Sequence, residues 1–165
     1  MNFYMTTGTF NFLAKIKEKH PGESMFLMLN NENALLLHES NQSTIFKTPR
    51  PFQVIESIGT LENKGIAVMH TIPVIEEDKP LLEHRFHHLR TLLENHRGLS
   101  AVRFLRPLKG DAYIILSLWQ NEKSYADWEN TASYTAFKKE VTSFNNPANL
   151  LIGSAYVTKY FISED

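Results

Sequence analysis

From Tyr113 to Trp119 the chain places apolar residues on both faces of an extended segment, Ile114, Leu116 and Leu118 on one side and Tyr113, Ile115 and Trp119 on the other. A strand with helices on one face and water on the other alternates apolar with polar. This segment must be covered on both faces, and only a fold that supplies two covers can hold it.

The surrounding periodicities give the first cover. Ile66–Val74 reads as a strand, and Pro80–His96 as a helix with Leu82, Phe86, Leu89 and Leu93 on one stripe, ended by Gly98. Ser100–Leu105 and Tyr113–Trp119 read as strands joined across Pro107–Asp111. Asn121 caps a helix running through Trp128, the polar run Asn130–Ser133 interrupts it, and Tyr134–Val141 resumes it. A loop with Asn145-Asn146-Pro147 leads to a last strand, Ala155–Ile162. The order is β-α-β-β-α-β, the ferredoxin-like arrangement.

The second cover must come from the first 62 residues or from another subunit. Asn2–Thr9 reads as a strand and Phe10–Lys19 as a helix. Met25–Leu29, Ala34–His38 and Ser43–Lys47 read as a small meander, and Pro49–Ile58 as a second helix with Pro51 in its first turn and Gly59 after its end. Leu61–Gly65 is the clearest boundary. A core of about 60 residues is marginal alone, so the expectation is an α+β chain of two parts. Residues 1–62 form a smaller N-terminal α+β domain packed on the sheet of a C-terminal ferredoxin-like domain, residues 65–165.

Composition narrows the chemistry. The absence of cysteine excludes disulfides, thiolate nucleophiles, iron–sulfur clusters and cysteine-held haem or zinc. With 17 basic and 18 acidic residues there is no broad field for nucleic acid or an anionic membrane. The first residues lack the pattern of a signal peptide, and no run is long enough for a membrane helix, so a cytoplasmic protein is expected. Phosphate-binding glycine loops, nucleophile elbows and triad motifs are absent.

Two residues stand out. His70 lies in the period-two set Ile66, Val68, His70, Ile72 and Val74, an imidazole on an apolar strand face. It is either a core histidine satisfied by a hydrogen bond or a neutral imidazole lining a pocket, able to meet a metal or an oxygen ligand. Trp128 shares a helix face with Tyr125, where it either packs the core or walls a flat ligand. His84 and His88 are four apart as zinc ligands would be, but they lie off the apolar stripe with Arg85 and Arg90 beside them. They read as a solvated face.

The run Trp119-Gln120-Asn121-Glu122-Lys123-Ser124-Tyr125-Ala126-Asp127-Trp128, with Val102–Pro107 and the helix carrying Glu83, Arg85 and Phe86, resembles the antibiotic biosynthesis monooxygenase superfamily, in particular its Isd-type haem-degrading enzymes. Tyr4–Thr9 and Leu36–Glu39 extend the likeness to the longer Bacillus-type haem monooxygenases and to the staphylococcal TRAP proteins. The resemblance implies a sheet of the dimeric α+β barrel type, haem as both substrate and cofactor, and O₂ and an electron donor as co-reactants. It also implies an Asn on the first strand of the ferredoxin-like unit, a Trp on its second helix, and an axial His ten residues after that Trp. Trp128 matches the Trp. His70 stands at the Asn position and Lys138 at the axial one, so His70 becomes the candidate iron ligand and catalytic residue. Lys138 becomes a candidate partner of a propionate, and Phe86 a candidate aromatic wall. A non-catalytic TRAP-like protein is the alternative, and an oxygenase acting on another flat aromatic without cofactor is a third. Short relatives dimerise through their sheets; a fused cover makes that unnecessary, so a monomer is expected.

Overall fold

The structure, a computed structural model, describes residues 1–144 and 153–164. The loop read at Asn145-Asn146-Pro147 lies outside the described residues. The described residues form eight strands: β1 (Asn2–Gly8), β2 (Ser24–Leu29), β3 (Ala34–Ser40), β4 (Arg50–Gly59), β5 (Ile66–Pro73), β6 (Leu99–Pro107), β7 (Ala112–Trp119) and β8 (Tyr156–Ile162). The helices are α1 (Phe10–Lys19), α2 (Lys79–Thr91), α3 (Glu122–Glu129) and α4 (Ala132–Thr142). Thr9, Asn121 and Thr131 cap α1, α3 and α4, each side-chain oxygen accepting a hydrogen bond from a backbone N–H three residues on, worth about 1 kcal/mol apiece.

The strands close into a single barrel in the order β1-β3-β2-β8-β5-β7-β6-β4. This corrects the expected pair of domains, one laid on the sheet of the other. The element order from Ile66 onward is the ferredoxin-like one, but its sheet does not stand alone. Residues of β4 pair with β6 from Phe52↔Pro107 to Gly59↔Ala101, and β2 pairs with β8 at Met28↔Ile162 and Leu29↔Phe161. The second face of Tyr113–Trp119 is buried because the sheet curls until its inner face meets itself. Phe3, Met5, Met28, Leu37, Phe52, Met69, Ile114 and Leu116 fill that interior.

Two local expectations also change. Residues 50–59 form strand β4 rather than a helix. Pro51 opens the strand, a position where a missing N–H is tolerated. A bulge between Val54 and Glu56 breaks the alternation, so Phe52 and Val54 face the interior while Ile55 and Ile58 join the outer core. Ser43–Lys47 forms no strand; it lies in the irregular connection from β3 to β4.

Turning the barrel order by half maps β1 onto β5, β2 onto β6, β3 onto β7 and β4 onto β8. The chain thus carries a two-fold repeat within one barrel. Outside it, α2, α3 and α4 cover the C-terminal half, with Val68, Ile115, Trp119, Phe86, Trp128 and Phe137 in one core. On the N-terminal half α1 covers Tyr4, Leu27 and Leu36 through Leu13.

If the barrel is one cooperative unit, damage in β1 is felt by Trp119 and Trp128, the only tryptophans, both in the other half. Phe3 is fully buried in the interior, and Phe3→Ala should cost about 3–5 kcal/mol. The denaturant midpoint of tryptophan fluorescence should fall accordingly. An unchanged midpoint would mean that the halves unfold separately.

Candidate functional site

His70 sits in the middle of β5, paired with Ile115 of β7 on one side and Val157 of β8 on the other. Its set on the strand faces the helices, so the ring points out of the barrel toward α4. It is 5% exposed, and the ring of Phe137 meets it edge-on at 5.0 Å. Burial pushes its pKa down to about 4, which leaves a neutral imidazole at physiological pH. Its Nδ1 is buried with no hydrogen-bond partner among the described residues, an uncommon condition for a buried polar atom. Of the two readings of this histidine, the satisfied core residue is therefore not met at Nδ1.

The imidazole forms one wall of a cleft of about 80 Å³ that Tyr134, Lys138 and Val141 of α4 share with Tyr156 and Val157 of β8. Lys138 is exposed at its rim. Tyr134 and Lys138 meet there because residues four apart share a helix face. Burial also raises the Tyr134 pKa, keeping its hydroxyl protonated. Tyr134 was detectable by its spacing from Lys138. Tyr156 and Val157 were not, since only the β5–β8 register brings them beside His70.

Trp128 is buried one layer behind the cleft. Its ring meets Tyr134 at 5.0 Å and Phe137 at 5.2 Å, lies stacked on Trp119 at 5.4 Å, and donates its Nε1–H to the Leu92 carbonyl at 3.0 Å. It packs behind Tyr134, which lines the cleft, and Phe137, which meets His70, rather than lining the cleft itself. Phe86 is elsewhere: fully buried, it packs on Phe104 at 5.0 Å and Tyr113 at 5.9 Å. The structure thus brings His70 and Lys138 together, sets Trp128 behind them, and puts Phe86 in the core under α2.

The histidines of α2 do not converge. His87 and His88 are exposed, with His88 Nε2 3.1 Å from Glu140 of α4, and no group of three or more metal-ligating side chains occurs among the described residues. A polar opening near Lys79, Glu83 and Arg106 is internally neutralised. Arg106 donates from Nε to Glu83 at 3.0 Å and from its guanidinium to Gln53 at 2.9 Å, and the Tyr113 hydroxyl donates to Glu83. The bond from Arg106 holds the Glu83 carboxyl below its ordinary range. With its charges already paired, this network is a brace between α2 and the barrel.

The free imidazole has a consequence for stability. In the unfolded chain His70 takes up its proton near pH 6.5, in the folded chain only near 4. Between these values the unfolded state holds more protons, so stability falls as pH drops from 6.5 toward 4, by up to about 3 kcal/mol, and owes His70 nothing above that window. His70→Asn removes the titrating group. Its denaturation midpoint should vary less with pH across that window than the wild type's; equal slopes would refute the buried, neutral state.

Residues 65–140 match the antibiotic biosynthesis monooxygenase family. The chain is 30% identical over 144 residues to the signal transduction protein TRAP of Staphylococcus epidermidis, covering 87% of this chain and 86% of that one. It is 22% identical over 161 residues to the heme-degrading monooxygenase of Listeria monocytogenes, covering 98% and 94%. The crystal structure of a monooxygenase-like protein from Listeria innocua superposes with a TM-score of 0.82 at 26% identity, over 99% of this chain and 94% of that one. No helix among the described residues is long and apolar enough to cross a membrane. By its likeness to TRAP over most of both lengths the chain belongs to that protein's family, and its residues 65–140 carry the match to the antibiotic biosynthesis monooxygenase family.

Proposed function

We propose that the chain binds haem in the cleft at His70 and opens its ring with O₂ and electrons from a separate donor, releasing iron, as a member of the haem-degrading long form of the family. The observation that carries this reading is His70 itself. A neutral imidazole, buried against Phe137 with Nδ1 unpartnered among the described residues, is a group that would hold haem through its lone pair or its single N–H. When bound, haem supplies both the metal that activates O₂ and the ring that is cleaved.

The chain's own residues divide the remaining work. His70 either donates its single N–H or offers its lone pair. Lys138, exposed at the rim, pairs with a propionate carboxylate. Tyr134 gives an aromatic wall, stiffened from behind by Trp128, whose packing resists tilting of a flat ligand. The cleft of about 80 Å³ is well below the few hundred Å³ of a typical ligand pocket. A macrocycle therefore enters only as α4 and the start of β8 separate. Because the barrel is completed by the chain's own two halves, the working form is a monomer.

A second reading has its own support. The TRAP relative is more similar in sequence, at 30%, than the heme-degrading one, at 22%, and Lys138 removes the axial histidine. On that reading the cleft is closed and the protein regulatory rather than catalytic.

Haemin titration separates the two. The proposal expects a saturable Soret band that is lost when a reductant is added in air. It also expects His70→Ala to move the band further than Lys138→Ala. A bound spectrum that survives reductant and O₂ would sink the enzymatic reading. Absence of saturable binding would favour the regulatory one.

A further inference from the structure

The half-turn repeat of the barrel gives the His70 cleft a counterpart. That cleft lies between β5, α4 and the start of β8. Its equivalent in the N-terminal half lies between β1 and the segment leading into β4. There residues 41–49 join β3 to β4 without a helix, whereas residues 120–155 carry α3 and α4 on the other side. The counterpart is therefore wider. It is a cleft of about 320 Å³ between β1, α1 and residues 45–48, within the size range of small-molecule sites.

Its chemistry differs from that of the first cleft. Phe12 and Ile45 face it while 59% and 41% exposed, and Ile16 and Phe46 extend the apolar surface. Large apolar side chains left open in a concave site mark a binding surface more than chance exposure does. Lys19 and Lys47 stand on the same lining, and no carboxylate does among the described residues. The chain as a whole has a net charge of -1, so this pairing of cations with an apolar wall is a local property.

We propose that this cleft is a second ligand site, which takes a small amphipathic anion: an acyl or aryl chain ending in a carboxylate. The chain lies against Phe12, Ile16 and Ile45, and the carboxylate meets the lysines. An exposed apolar wall alone would accept any greasy molecule; the two ammonium groups select the anion and repel an amine of equal length.

The test uses the full chain with decanoate and decylammonium as probes, followed by calorimetry. Decanoate should bind saturably at one site below about 1 mM, and decylammonium at least about tenfold more weakly. The double variant Lys19→Glu, Lys47→Glu should lose about tenfold or more in decanoate affinity, while His70→Asn changes it by less than about twofold. Both lysines are exposed, so the thermal midpoint should hold, and the amine comparison needs no variant. No saturable binding, equal binding of the amine, or loss of binding in His70→Asn would each overturn the proposal. So would a dimer in sedimentation that Phe12→Asp dissolves, since a second copy would then occupy the cleft.

Discussion

Everything outside the barrel depends on its two seams. An antiparallel sheet leaves two unpaired edges unless it closes on itself, and this one closes where the N-terminal half meets the C-terminal half. The β4–β6 seam is long; the β2–β8 seam has two paired positions. Near the long seam lies an ion pair that joins the halves. Arg103 of β6, nearly inaccessible, donates from Nε to Glu39 of β3 at 2.6 Å, and from one terminal nitrogen to the carbonyls of Ile58, Gly59 and Val102. A guanidinium this buried is tolerable because its donors find acceptors. Gly59 is part of the arrangement: at φ 64° a side chain there would strain the backbone, and its Cβ would fall 2.3 Å from the Ser100 carbonyl. The seam is therefore fixed by charge and backbone as well as by apolar packing.

How much of this was visible in the sequence follows from how locally each feature is encoded. The order of elements after Ile66 was legible because strand and helix periods alternate there with caps and turns between them. The two-sided burial of Tyr113–Trp119 was legible too, but its cause was not. Residues with an apolar second face look the same whether a second layer covers them or the sheet bends round to cover itself, because pairing across a seam leaves no local pattern. Strand β4 was hidden for a different reason. Its bulge shifts the phase midway, so Phe52 and Val54 on one face, then Ile55 and Ile58 on the other, imitate helical spacing beside a proline and a glycine that fit helix ends.

The site divides in the same way. His70 could be singled out because an imidazole breaks an apolar period-two run. Trp128 was marked by its helix face with Tyr125 and Lys138 only by the family pattern, and the structure separates them: one supports the wall and the other stands at the mouth. Phe86 shares a stripe with Leu82, Leu89 and Leu93, and a stripe faces one neighbour, in this case the β6–β7 surface rather than the cleft. Tyr156 and Val157 lie far from His70 in sequence and reach it only through strand pairing, so no reading of nearby residues could include them.

The repeat within the barrel explains where function can and cannot reside. The interior is filled by side chains from both halves, and the barrel is a scaffold whose outer faces carry the clefts. Both halves present the same strand order to the outside, yet only one bears two helices between its last strands. Those helices narrow one cleft until an imidazole and aromatic rings meet across it, and their absence leaves the other open, lined by lysines and exposed apolar groups. The half-turn repeat of the sheet thus sets two clefts at equivalent places on the barrel. The residues that α4 and the β3–β4 connection present at these faces set how the two clefts differ.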